Sequence, residues 1–136
     1  MRYHFTTSIV MFVLVLTFAT SSFGQSPRLT KPFVVGAENN ESSKANLDLL
    51  AERAGKEKSI IFIARLGTSE TSRSLSRKRL LTALEYLRKT RDLPVERLVT
   101  AFGDPVSAEG RIEVYLDNEL FMVFLFKRDR NFAREP

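Results

Sequence analysis

The spacing of the hydrophobic residues changes several times between residues 33 and 126, and this succession constrains the fold more than any other feature. Apolar or alternating runs that are typical of β-strands cover residues 33–35, 59–64, 97–102, 111–116 and 120–126. Two segments between them, which begin near residues 43 and 74, have apolar residues at helical spacing instead. The predicted order is strand, helix, strand, helix, strand, strand, strand. We therefore expect an α/β (α+β) two-layer sandwich in which two helices lie on one sheet.

Local signals predict where each helix begins and ends. The polar residues 39–43 favour the start of the first helix, and Gly55 suits a left-handed C-terminal cap. The second helix is expected from about residue 74 to residue 90, and Pro94 prevents it from continuing further. The predicted apolar faces consist of Leu47, Leu50, Ala51 and Ala54 in the first helix and of Leu80, Ala83, Leu84 and Leu87 in the second.

The last predicted strand, residues 120–126, is apolar on both of its alternating faces. Two helices can cover only one face of a sheet, so the other face needs a different partner. That partner can be the N-terminal lead (residues 25–42, with a short strand), a second copy of the chain, or another protein. Among these we favour self-association.

The N-terminus has the pattern of a secretory signal peptide. Arg2 and His4 precede an apolar run over residues 9–19, and the small or polar residues 20–24 follow. A helix of that apolar run is about 16 Å long, which is too short for a hydrocarbon layer of about 30 Å. We expect cleavage after Gly24, export of the remaining chain and no transmembrane span after cleavage. An uncleaved membrane anchor is the alternative.

The composition excludes several kinds of chemistry in the exported part. The chain has no cysteine, which excludes disulfides and attachment of lipid through a cysteine. Its one histidine lies in the segment that is predicted to be removed. Without histidine and cysteine, the commonest general base, the thiol nucleophile and most transition-metal sites are missing. We expect a non-enzymatic protein with no cofactor and no metal.

Positive charge is concentrated in one third of the chain. The whole chain carries a formal net charge of +5, and loss of Arg2 would leave about +4. The concentrated cations are Arg73, Arg77, Lys78, Arg79, Arg88, Lys89, Arg91 and Arg97. Such a patch favours anionic partners, although charged residues on a solvated helix face are the simpler interpretation for many of them. We do not expect nucleic acid as a partner, because the chain is predicted to be exported and exposed aromatic residues are not interleaved with the cations.

Residues 75–79 (Leu-Ser-Arg-Lys-Arg), followed by Ala83 and the pair Tyr86-Leu87, have the spacing of a helix in a known family. Residues 95–98 (Val-Glu-Arg-Leu) with Gly103, and residues 111–113 (Arg-Ile-Glu), match segments further along the same family. Over residues 43–116 the chain resembles OmpA-like peptidoglycan-binding domains. The resemblance implies one such domain over residues 43–126. The charged composition of residues 127–136 predicts a frayed tail after it. The resemblance also implies a location in the periplasm or cell envelope of a bacterium.

The resemblance implies non-catalytic binding of peptidoglycan or another anionic envelope component. In that family a helix-start arginine, matched here by Arg79, holds a carboxylate of the stem peptide, and an aspartate holds its ammonium group. Residues 64–67 (Ala-Arg-Leu-Gly) lack that aspartate, and Glu70 is the only carboxylate in the following loop. The candidate ligand-binding residues are therefore Arg65, Glu70, Arg79 and Arg111.

Two alternatives stay open. The side chains of Arg65 and Arg79 can form internal salt bridges with Glu70, Asp104 or Glu113 instead of binding a ligand. In that case the chain is a structural or interaction protein that self-associates, or docks a partner, through its apolar sheet face. Homo-oligomers are compatible both with anion binding and with a structural role.

Overall fold

The computed structural model describes residues 31–133 and shows an α+β fold with a five-stranded mixed sheet and two helices. The predicted signal peptide and its cleavage site lie outside these residues. The elements are β1 (Phe33–Gly36), α1 (Asn40–Ala54), β2 (Ile60–Arg65), α2 (Arg73–Arg91), a 3-10 turn (Val95–Arg97), β3 (Leu98–Phe102), β4 (Gly110–Leu116) and β5 (Glu119–Phe126). The predicted α+β class, with two helices and one sheet, is confirmed.

The ends of α1 follow the predicted signals. The side chain of Asn39 accepts a hydrogen bond from the backbone N–H of Ser42, which caps the first turn. Gly55 adopts a φ of 54° and donates its N–H to the carbonyls of Ala51 and Glu52 at the other end. In α2 the last turn ends at Asp92, which takes the left-handed conformation.

The strand order in the sheet is β1-β5-β4-β2-β3. Strand β1 is parallel to β5, β2 is parallel to β3, and β4 is antiparallel to both of its neighbours. Asp117 and Asn118 both have positive φ, as the tight hairpin turn between β4 and β5 requires. Strand β4 therefore lies in the middle of the sheet, and β1 and β3 form its two edges.

Both helices pack on the same face of the sheet, and the core lies between the two layers. Each interior strand contributes alternate residues to this core, and the apolar faces of the helices meet them. The fully buried members include Leu50, Phe62, Leu87, Ile112, Val114, Met122, Phe124 and Phe126. Neither α1 nor α2 lies on the opposite face of the sheet, which we call the open face.

The C-terminal segment packs against the rest of the fold over residues 127–132 and does not fray there. Phe132 is 5% exposed and makes edge contacts with the rings of Phe124 and Phe126 at centroid distances of 5.3 and 4.9 Å. Lys127 pairs with Glu38 at 2.7 Å. The prediction of a frayed tail is therefore wrong for residues 127–132, because an apolar residue among the charges anchors the segment to the core.

No helix within the described range is both long enough and apolar enough to cross a bilayer.

Candidate functional site

Glu70 and Arg79 form a buried ion pair beneath the start of α2. Their side chains are 1% and 0% exposed. Arg79 donates from Nη2 to Oε1 of Glu70 at 2.7 Å and from Nη1 to Oε2 at 3.0 Å, so the two planar groups are joined at two points. The backbone N–H groups of Gly67 and Asp129 each donate to the same carboxylate at 2.8 Å. Four donors thus satisfy Glu70 completely within the protein.

The same pair holds the C-terminal segment against α2. The Nε of Arg79 donates to the carbonyl of Arg130 at 2.7 Å, and its guanidinium lies 4.4 Å from the ring centroid of Phe126. All three nitrogens of the Arg79 guanidinium therefore have partners inside the fold. Gly110 contributes space, because a Cβ atom at that position would collide with both Glu70 and Arg79.

This geometry differs from the expectation that Arg79 presents its guanidinium to a ligand. Arg79 lies on the buried face of α2 together with Ser76, Leu80 and Ala83, and Glu70 occupies the position of a bound carboxylate. The internal salt bridge, which the sequence left open as an alternative, is the arrangement in the structure. A ligand could reach Arg79 only by displacing Glu70, and that would leave Glu70 without its ion-pair partner.

Burial alone would raise the pKa of the Glu70 carboxyl, but the hydrogen bonds from Arg79, Gly67 and Asp129 and the charge of Arg79 outweigh it. Together they lower this pKa from 4.5 to about 2. A depressed folded-state pKa contributes stability above the unfolded-state value and loses it as the pH falls toward the folded-state value. We therefore expect the chain to lose about 3 kcal/mol of unfolding free energy between pH 4.5 and pH 2.

Urea unfolding of the wild type and of Glu70→Gln at pH 7, 4, 3 and 2 checks this expectation. Below pH 4.5 the wild type should lose stability more steeply than the variant, which has no carboxyl to protonate at this position. Equal slopes for the two proteins would contradict a low pKa at Glu70.

A second polar cluster lies on the open face, where β4 and β2 pair. Arg65 donates from Nε to Oε2 of Glu113 at 3.0 Å, and the hydroxyl of Tyr115 donates to the same oxygen at 3.2 Å. Gly103 leaves room for the Arg65 guanidinium, whose Nη1 also reaches the carbonyl of Asp104 at 3.3 Å. Burial, together with the charge of Glu113 and its hydrogen bond, raises the pKa of the Tyr115 hydroxyl, so this group remains a donor.

Arg111 lies directly beside Arg65, since the two residues are register partners across β2 and β4. Its Nε is buried and has no hydrogen-bond partner among residues 31–133. The neighbour of Arg111 on its other side, in β5, is the apolar residue Leu125. A buried, charged donor without a partner is costly and points to a missing acceptor.

The four candidate residues therefore divide between the two faces of the sheet. Arg65 and Arg111 lie together on the open face, whereas Glu70 and Arg79 lie together beneath the helices. Sequence reasoning did not select Glu113 and Tyr115 as members of the site. A signal for them existed, because residues 111, 113 and 115 alternate with the apolar residues 112, 114 and 116 and so share the face away from the core.

The exposed cations of α2 lie apart from these clusters. Arg73, Arg77 and Lys78 are exposed in its first turns, and the side chain of Lys89 pairs with Glu85 at 2.7 Å. Arg97 instead packs on the end of α1, where it donates to the carbonyls of Ala54, Gly55 and Lys58. Across the described part of the chain, no cluster of acidic, histidine or cysteine side chains could hold a metal ion.

Compared with known protein families, with curated proteins and with solved structures, the chain has no significant match.

Proposed function

We propose that the protein is a non-enzymatic binding domain of the cell envelope that holds an anionic group between Arg111 and Arg65 on the open face of its sheet. The observation that supports this proposal most directly is the buried Nε of Arg111, which lacks a partner in the described structure. Because this Nε has almost no accessible surface, an anionic oxygen would reach and satisfy it only after the Arg111 side chain turns outward.

The charges of the open-face cluster support the same proposal. Arg65 and Arg111 supply two positive charges side by side, and Glu113 supplies one negative charge. Two like charges directly across a strand pair destabilise a sheet unless something neutralises them. Because Glu113 is already engaged with Arg65 and Tyr115, one positive charge remains to be neutralised. A single carboxylate or phosphate would balance the cluster.

The class of ligand comes from the resemblance and the predicted export. A carboxylate of a peptidoglycan stem peptide is the ligand that the OmpA-like resemblance implies, and guanidinium groups bind carboxylates through paired hydrogen bonds. The binding residues in this proposal are Arg65 and Arg111, whereas Glu70 and Arg79 stabilise the fold.

Retention on purified peptidoglycan sacculi tests the proposal. The wild type should be retained at low salt, and Arg111→Gln should bind at least about tenfold more weakly, because a charged hydrogen bond contributes on the order of 1.5–3 kcal/mol. Arg77→Gln is the matched control, since it removes the same charge from an exposed position on α2. Thermal unfolding of each variant shows whether it has kept its fold.

Retention of Arg77→Gln should equal that of the wild type. If wild-type protein passes through sacculi at low salt, or if both variants lose binding equally, the Arg111 site is not what binds the wall. A parallel assay with anionic lipid vesicles distinguishes a headgroup phosphate from a wall carboxylate as the source of the anion.

A structural or interaction protein that self-associates is a second candidate. It is favoured by apolar side chains that the fold leaves at the surface, of which Val34 at 60% exposure is the most open. Phe124 is not a suitable position for testing it, because this residue is fully buried on the helix side of β5. Substitutions at the surface of the sheet edges are the informative ones.

A further inference from the structure

The exposed large hydrophobic residues are concentrated at the two edges of the sheet. Among the residues described, they are Phe33, Val34, Leu81, Val95, Val99 and Phe102. Two of them belong to β1, and three belong to β3 or to the 3-10 turn before it. Val99 and Phe102 are 46% and 52% exposed although they lie in a strand. The β3 edge therefore presents more apolar surface than isolated exposed residues would.

Strand β3 also presents unpaired backbone groups. Gly103 donates its N–H to the carbonyl of Ala64 in β2 at 2.9 Å. Because successive residues of a strand direct their backbone groups to opposite sides, the N–H and C=O groups of Thr100 and Phe102 point away from β2. The N–H of Leu98 is occupied by the carbonyl of Val95, but its own carbonyl points outward.

Strand β3 lacks the features that usually protect an edge. Its sequence, Leu-Val-Thr-Ala-Phe, contains no charged residue and no proline, and its ladder with β2 is regular from residue 98 to residue 102. Natural proteins normally block such an edge with charges, proline or a bulge, or cover it with another element. An uncharged, exposed edge of this kind is suited to pairing with another strand.

We infer that two copies of the chain pair through β3, as antiparallel strands related by a twofold axis at Thr100. This inference rests on the second candidate function and is independent of anion binding. Each Thr100 then lies opposite the Thr100 of the other copy, and the two residues donate their backbone N–H groups to each other's carbonyl oxygens. Phe102 N–H of each copy then reaches the outward carbonyl of Leu98 in the other copy.

The side chains suit this register. Each Phe102 lies beside Leu98 of the second copy, and each Val99 lies beside Ala101, so apolar pairs flank the central pair of Thr100 residues. The pairing joins two five-stranded sheets into one continuous sheet and leaves both open faces accessible. A single strand pair buries less area than a standard interface of about 800 Å² per partner, so we expect a weak and reversible dimer.

Sedimentation velocity of the 136-residue chain tests the inference. The protein is purified from the expressing host, and its N-terminus is read by mass spectrometry. The wild type should change from monomer to dimer between about 1 and 500 µM. Thr100→Arg should weaken the dimer at least about tenfold, because it places two like charges at the axis. Val34→Arg is the matched control, since it adds the same charge to an exposed position at the other sheet edge.

Thr100→Cys gives a second readout in a chain without native cysteine. Under mild oxidation it should form a disulfide dimer much faster than Thr68→Cys, which lies in an exposed loop.

A wild type that stays monomeric up to 500 µM would overturn both the inference and self-association. A dimer that Thr100→Arg leaves intact, or that Val34→Arg weakens as strongly, would overturn pairing through β3 alone. Arg111→Gln should still form the dimer, so a failure of anion binding and a failure of dimerisation can be told apart.

Discussion

Arg79→Ala should destabilise the protein by about 3–5 kcal/mol, since it removes one member of a buried ion pair and leaves the other buried without its charge partner. Arg79 has no exposed side-chain surface, so solvent cannot compensate for the lost hydrogen bonds. The substitution also releases the carbonyl of Arg130, and with it one attachment of the C-terminal segment. Urea unfolding at pH 7, followed by circular dichroism, measures the loss.

Arg77→Ala is the control for Arg79→Ala, because it removes an exposed guanidinium two residues earlier in the same helix. Its effect should be within about 0.5 kcal/mol. Combining Glu70→Leu with Arg79→Met should recover part of the loss, but not all of it, because the N–H groups of Gly67 and Asp129 would still lack their acceptor. A loss below about 1 kcal/mol for Arg79→Ala would show that the pair is not a major support of the fold.

Gly67→Ala should cost about 3 kcal/mol, at the upper end of the usual range for overpacking. A Cβ atom there would overlap with the backbone nitrogen of Gly110 and lie 2.6 Å from the carbonyl oxygen of Ala108. Both neighbours are backbone atoms of the segment that leads into β4, so neither can rotate away. Thermal and urea unfolding of the purified variant measure the effect.

Gly36→Ala is the matched control for Gly67→Ala. A Cβ atom at Gly36 would have nothing within 4 Å, and its backbone does not require positive φ. We expect a change within about 0.5 kcal/mol, because the added methyl group meets open space and slightly restricts the unfolded chain. Similar effects for the two substitutions would mean that the contact between the β2–α2 loop and β4 is not as tight as the structure has it.

The sequence predicted the elements of the fold because each depends on local periodicity and local caps. The apolar faces of both helices and the cap at Gly55 follow from residues within a few positions of each other. The docked C-terminal segment was missed because its charged residues suggest solvent, whereas the single residue Phe132 decides its position.

The arrangement of the candidate site could not be predicted, since it depends on strand order. Arg65 and Arg111 become neighbours only because β4 inserts beside β2, and no local pattern specifies that pairing. For Arg79, the sequence left an internal salt bridge with Glu70 open, but it did not predict complete burial. A charged side chain is usually placed on the polar face of a helix, and this one is buried because Glu70 pairs with it at 2.7 Å.

In the proposed function, Arg79 is satisfied inside the fold and Arg111 is the guanidinium that binds an anion. Nuclear magnetic resonance of the arginine Nε–H groups, during titration with a soluble peptidoglycan fragment, distinguishes the two residues. The resonance of Arg111 should shift in a saturable manner, and that of Arg79 should stay in place. A saturable shift at Arg79, or an unchanged Arg111 at saturating fragment, would contradict the proposal.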